Sequence, residues 1–168
     1  MKQLLLFALL LSFVNTIFAQ EIKTDSILTE KQNAEWISEF EKLNSIPKKI
    51  VEIKAKVIND TLFNRIEKPC KMEAIKLAYD VIEARYSSEC QCKILFILSF
   101  KKFGYILNPL EYPKTSEILE LINDKNIDEI KVYKGDDGAR DFGTKGRCGV
   151  VVLNSKNRKL KRKVKNVL

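Results

Sequence analysis

The cysteines are the residues of this chain best suited to chemistry. There are four of them: Cys70, Cys90, Cys92 and Cys148. The Cys-x-Cys pair could act as a redox centre, because Lys93 or Arg147 beside a cysteine would favour its reactive thiolate. The alternative is structural, since two further cysteines allow each member of the pair to form its own disulfide.

Spacing limits how the cysteines can pair. Cys90 and Cys92 are two residues apart and would close a strained ring, so each is expected to pair elsewhere. Two connectivities remain, Cys70–Cys92 with Cys90–Cys148 or Cys70–Cys90 with Cys92–Cys148. If residues 71–86 form a helix of about 24 Å, the reach of the following extended chain favours the first. Cys90–Cys148 would then tie the C-terminal part to the N-terminal half.

Other reactive groups are scarce. The chain contains no histidine, which excludes Ser-His-Asp and Cys-His nucleophiles and zinc sites built on imidazole. Paired carboxylates remain possible in principle, but none of the 22 acidic residues is set apart by its surroundings. We therefore expect a non-catalytic protein without a cofactor or a metal site.

The net charge of +8 is concentrated at the C-terminus. Residues 154–168 contain no acid and seven bases, Lys156, Arg158, Lys159, Lys161, Arg162, Lys163 and Lys165. Like charges repel, so residues 157–168 are predicted to be a disordered basic tail. The tail is a candidate binder of polyanions such as lipopolysaccharide or nucleic acid, or else a solubilising terminus.

The N-terminus has the pattern of a secretory signal peptide. Lys2 precedes an apolar run from Leu4 to Val14, and Ala19 stands at the expected cleavage point. A run of about a dozen apolar residues is too short to span a bilayer. The sequence thus predicts a signal peptide over residues 1–19 and an exported mature chain.

Hydrophobic periodicity predicts a mixed set of elements. Helices are expected over 29–43, 71–86 and 115–122, the last capped by Thr115 or Ser116. Strict alternation predicts a strand over 51–57, with a second short strand over 62–66. Further strands are expected over 93–100, where residues 94–98 form an unbroken apolar run, and over 127–134 and 149–153. Without regular βαβ alternation, the fold class is α+β, a small mixed sheet with packed helices.

Five of the six glycines lie between Tyr133 and Lys156. Gly135 is expected to end a strand and Gly143 to stop a short helical turn in a left-handed conformation. Gly146 would complete a tight turn, and Gly149 would allow close approach of a neighbour where the last strand begins.

This glycine-rich segment resembles the plug domain of TonB-dependent outer-membrane receptors. The resemblance lies in Ile127, Ile130, Lys134, Gly135, Ala139, Phe142, Gly143, Gly146, Gly149 and Val150, with Lys156 closing the match. It extends over residues 93–156 and implies a βαβ-turn-β arrangement of the C-terminal half. Residues 20–92 have no counterpart in the pattern.

The residues that follow the plug-like segment distinguish a complete receptor from a stand-alone plug-like domain. A receptor barrel needs many strands of about 9–11 residues, whereas the basic tail follows directly here. The resemblance therefore implies a stand-alone plug-like domain in the periplasm or at the outer membrane of a Gram-negative bacterium. It would act as an interaction module that binds an envelope protein partner.

Overall fold

The computed structural model describes residues 28–62, 72–76, 82–86, 90–101 and 103–168, with the backbone alone for the second and third of these ranges. Five α-helices and six strands are seen in these ranges. The helices are α1 (Glu30–Lys42), α2 (Ile46–Leu62), α3 (Thr115–Leu121), α4 (Gly135–Phe142) and α5 (Arg158–Val167). The strands are β1 (Met72–Lys76), β2 (Ile82–Tyr86), β3 (Leu95–Phe100), β4 (Phe103–Ile106), β5 (Glu129–Tyr133) and β6 (Val150–Asn154).

A four-stranded sheet forms the centre of the fold, in the order β4–β3–β6–β5. The two central strands are parallel, and each edge strand is antiparallel to its neighbour. Helices pack on this mixed sheet, so the predicted α+β class is confirmed. The strands expected over 93–100, 127–134 and 149–153 correspond to β3, β5 and β6.

One face of the sheet carries most of the core. Phe96, Leu98 and Phe100 of β3 are buried, and the parallel register places Val151 and Leu153 of β6 beside them. From α1, Trp36 meets Phe96 edge to face at 6.1 Å between ring centroids. The apolar run of β3 is thus buried on alternate residues and half-buried on the others, because the opposite face is only partly covered.

Helix α1 confirms the prediction over 29–43. Thr29 accepts a hydrogen bond from the Gln32 backbone while the Gln32 side chain accepts one from the Thr29 backbone. This reciprocal capping box satisfies two donors that a helix start would otherwise leave unpaired. Ile37 and Phe40 form the buried stripe of the helix.

The strand predicted over 51–57 is wrong, because these residues belong to α2. Val51 is 63% exposed while Ile53 is 1% exposed, so the alternating set does not share one buried face. The buried side chains Ile50, Ile53 and Val57 follow helical spacing instead. Leu62 of the predicted strand over 62–66 also lies in α2, and the other four residues lie outside the described part.

The helix predicted over 71–86 is also wrong. Its described residues form β1 and β2, an antiparallel pair whose register sets Met72 opposite Tyr86. Cross-strand pairing here overrides a local sequence pattern compatible with a helix. The two strands run in opposite directions, so this segment does not extend over about 24 Å as a single helix would.

Two details near the C-terminus also differ from the sequence predictions. Helix α3 is present, but its N-cap is Lys114, and neither Thr115 nor Ser116 caps it; Thr115 is fully buried instead. The prediction of a disordered tail over residues 157–168 is wrong, since Arg158–Val167 form helix α5. Leu160 and Val164 of this helix are buried in the core, which fixes it to the domain.

Candidate functional site

The basic helix α5 holds most of the predicted polyanion-binding residues in fixed positions. Its exposed bases are Arg158, Lys159, Arg162, Lys163 and Lys165, with Lys161 half-buried. We call these six residues the basic face. Arg158, Arg162 and Lys165 are spaced i, i+4, i+7 and lie opposite the buried Leu160 and Val164. No acidic residue of the described part forms an ion pair with any of the six.

Local hydrogen bonds set the start of α5. The Asn157 side chain accepts from the backbone N–H groups of Lys159 and Leu160, as an N-cap does. The Ser155 hydroxyl accepts from the Asn157 N–H and donates to the Asn126 carbonyl at 2.6 Å. The helix therefore starts at a defined point on the sheet, and its cations point in defined directions.

Lys156 precedes the helix and is exposed, while its backbone N–H donates to the Asp128 carboxylate at 2.6 Å. It therefore lies beside an acid. Of the seven predicted polyanion-binding residues, it is the one that the structure separates from the basic face.

An exposed aromatic ring adjoins the basic face, and no pattern in the sequence predicts this contact. Phe103 of β4 is 49% exposed. The Nζ atoms of Lys161 and Lys165 lie 4.5 and 5.3 Å from its ring centroid. These cation–π contacts hold the two ammonium groups beside an apolar surface at the sheet edge. The site therefore combines positive charge with one apolar side chain.

The plug-like residues fold as one compact unit of β5, α4, a 3-10 turn over Gly143–Gly146 and β6. Gly143 ends α4 with φ 69°, as predicted from the left-handed requirement. A Cβ on Gly138 would overlap the Gly146 carbonyl oxygen, so the helix and the turn are in backbone contact. Gly149 has φ 101°, and a Cβ there would meet Ile37 of α1, which confirms the expected close approach.

The other residues of the plug-like pattern have structural positions. Ile127 is buried and Ile130 packs against the core. Lys134 caps α4 and forms an ion pair with Glu41 at 2.5 Å. Phe142 packs edge to face on Tyr133, with 5.1 Å between ring centroids. Gly135 begins α4 with φ 34°, Ala139 is half-buried within it, and Val150 is fully buried.

The disulfide joins Cys92 to Cys148, with 6.2 Å between their Cα atoms. The favoured connectivity, Cys70–Cys92 with Cys90–Cys148, is therefore wrong, because it assigns Cys92 and Cys148 to different bridges. Its premise was a long helix after Cys70, which the β1–β2 pair replaces. Cys90 is buried, and its carbonyl accepts the Glu30 N–H at 2.8 Å; Cys70 lies outside the described residues.

A cleft of about 460 Å³ opens beside the disulfide, within the size range of small-molecule sites. Cys92 and Cys148 form part of its lining. Its apolar wall comes from α2, β3, β4 and the chain around them: Val57, Ile94, Leu95, Ile106, Leu107 and Pro109.

Charged groups of both signs also border the cleft. Lys56 pairs with Asp60 at 2.5 Å, and both side chains are nearly buried. Burial raises the pKa of the Asp60 carboxyl despite the neighbouring ammonium, and it lowers the pKa of the half-buried Lys93. On the rim, Lys145 pairs with Glu111 at 3.5 Å. Lys93 forms no ion pair with any described residue.

Neither a metal centre nor a membrane span is present in the part of the chain that the structure describes. No group of three or more metal-ligating side chains comes together there. None of the helices described is both long and apolar enough to cross a bilayer. Comparison with protein-family models, with curated proteins and with solved structures gives no match for this chain.

Proposed function

We propose that this protein is a non-catalytic interaction module of the bacterial envelope, and that it binds a phosphate-bearing polyanion through the basic face of α5. The observation that supports the proposal most strongly is the docking of α5. Six cations are held on an ordered helix, and no described carboxylate pairs with them. The signal-like N-terminus and the plug-like segment suggest the envelope as the location.

An ordered helix binds a charged surface more favourably than a disordered tail of equal charge. A disordered segment must lose conformational entropy when it binds, whereas Leu160 and Val164 already fix α5 in the folded protein. Each Lys or Arg near an anionic lipid surface contributes about 1 kcal/mol. Engagement of three of the six cations would therefore increase affinity by about a hundredfold.

An anionic lipid headgroup is the ligand that the site fits best. The half-exposed Phe103 ring lies beside the ammonium groups of Lys161 and Lys165, so an apolar side chain adjoins positive charge, as a lipid surface requires. Single-stranded nucleic acid would need aromatic rings open for base stacking. Here two lysines already lie over the one ring beside the basic face.

The test compares vesicle binding by the wild-type protein and by a variant with all six residues of the basic face changed to glutamine. Glutamine keeps helix propensity, and the buried stripe is untouched. A matched control changes six exposed lysines elsewhere to glutamine: Lys31, Lys42, Lys48, Lys101, Lys125 and Lys131. Both variants have the same net charge.

We expect wild type and control to co-sediment with phosphatidylglycerol vesicles but not with phosphatidylcholine vesicles, and the α5 variant to lose at least a hundredfold in affinity. Equal loss in both variants would show that net charge alone is responsible. Stronger binding to duplex DNA than to the anionic vesicles would assign the site to nucleic acid. The first result contradicts the proposal, and the second contradicts its assignment to an anionic lipid headgroup.

A protein partner is the second candidate function, and the compact plug-like unit supports it. Crosslinking in cell envelopes would compare wild type with the α5 glutamine variant. The glutamine variant keeps Leu160 and Val164 in the core, which any deletion of α5 would remove. Capture of the same outer-membrane protein by both forms would assign the contact to the plug-like unit.

A further inference from the structure

We infer that the cleft beside the Cys92–Cys148 disulfide is a binding site for a small anionic amphiphile, such as a medium-chain carboxylate. The cleft is separate from the basic face of α5, none of whose residues lines it. The inference therefore does not depend on the proposed function. It rests on the juxtaposition of one half-buried ammonium with an extended apolar wall.

Lys93 forms no direct ion pair among the described residues, although the Asp60 and Glu111 carboxylates nearby favour its charged form. Asp60 is paired with Lys56 and Glu111 with Lys145, and these two are the acids among the lining residues. Burial nevertheless lowers the pKa of Lys93. A partly desolvated ammonium is stabilised more strongly by an anion bound in the same low-dielectric cleft than by an anion in water. The cleft thus selects a negatively charged group.

The wall of the cleft determines the rest of the ligand. Apolar side chains such as Leu95, Ile106, Leu107 and Pro109 dominate the surface next to Lys93. A flat or strongly polar anion would leave this wall in contact with water, whereas an alkyl chain would bury it. Each methylene that enters an apolar site strengthens binding by roughly fourfold. A carboxylate with an alkyl chain satisfies both parts of the site.

Calorimetric titration with octanoate, decanoate and dodecanoate, each below its micelle concentration, tests the inference on the full mature chain. We expect one saturable site and affinity that rises about tenfold or more for every two methylenes until the cleft is filled. Dodecyltrimethylammonium, with the same chain and the opposite charge, is expected to bind at least tenfold more weakly than dodecanoate.

Two variants locate the site. Lys93→Gln should weaken dodecanoate binding at least tenfold, whereas Lys131→Gln, on exposed edge strand β5, should not change it. Ile106→Trp should fill the cleft and abolish binding even if Lys93→Gln alters folding. The α5 glutamine variant should bind dodecanoate as wild type does.

Three results would overturn the inference. The first is absence of saturable binding by the folded wild-type protein. The second is affinity that is independent of chain length or equal for the cationic amphiphile. The third is loss of binding in the α5 variant, which would move the amphiphile to the basic face.

Discussion

Removal of the Cys92–Cys148 disulfide should cost a large part of the stability of this domain. The two cysteines are 56 residues apart, and the loop between them contains α3, α4 and three strands. In the chain-entropy description, closing a loop of this length lowers the unfolded-state entropy by the equivalent of about 4 kcal/mol at 25 °C. Domains of this size are stable by about 5–15 kcal/mol in total. The double variant Cys92→Ser/Cys148→Ser should therefore unfold at a much lower urea concentration.

Urea-induced unfolding of wild type and of the double variant measures this difference directly. Peptide mapping of the single variant Cys92→Ser, alkylated under denaturing conditions, provides the control on connectivity. Cys148 should carry the alkyl group in this variant, whereas neither Cys92 nor Cys148 should be alkylated in the wild-type protein. A loss below 1 kcal/mol, or alkylation of Cys148 in the wild-type protein, would refute this reasoning.

Three further single variants and one double variant test a backbone contact, a helix cap and a buried ion pair, each by urea-induced unfolding. Gly138→Ala should cost about 1–3 kcal/mol, because its Cβ would overlap the Gly146 carbonyl oxygen; an unchanged midpoint would contradict that contact. Asn157→Ala should cost about 1 kcal/mol through loss of the α5 cap, and a neutral effect would show that the cap is dispensable. Lys56→Met should cost about 3–5 kcal/mol at pH 7, while Lys56→Met with Asp60→Leu should cost little. Burial already raises the pKa of Asp60 above its unfolded value, so the folded state binds this proton more tightly. The loss in Lys56→Met should therefore shrink as the pH falls from 7 to 5, and a growing loss would contradict this sign.

The sequence predicted best those elements whose local signals agree with one another. In α1, Ile37 and Phe40 recur at helical spacing with polar and charged residues between them, and both features indicate a helix. In β6, Gly149 and the apolar run after it both indicate a buried strand start. Such agreement leaves tertiary structure little to change.

Where two periods fit the same residues, the sequence did not decide between them. In residues 51–57, Ile53 and Val57 fit alternation and helical spacing equally, and Ile50 favours the helix only when residues further N-terminal are included. The disulfide prediction then failed because it depended on another misassigned segment, 71–86. The wrong assignment of residues 71–86 to a helix thus led to the wrong pairing of Cys92 and Cys148.

In the C-terminal residues 157–168, composition and residue pattern predict different structures. The high charge favours a disordered tail, whereas the spacing of the apolar residues favours a helix. Leu160, Val164 and Val167 are spaced i, i+4, i+7 after the capping residue Asn157, which is the signature of an amphipathic helix. The density of charge concealed this signal. Phe103 and the cleft could not be predicted, because both depend on which side chains the fold brings together.

The salt dependence of binding tests most directly whether the basic face of α5 is the functional surface. The measurement is the affinity of the wild-type protein for phosphatidylglycerol vesicles between 50 and 200 mM NaCl, with the α5 glutamine variant in parallel. Salt screens the negative surface potential of the vesicle, so the association constant of a protein bound through basic residues should fall as salt rises. We expect the association constant of the wild-type protein to fall steeply over this range and that of the variant to change little. An equal fall for the two proteins would contradict the account.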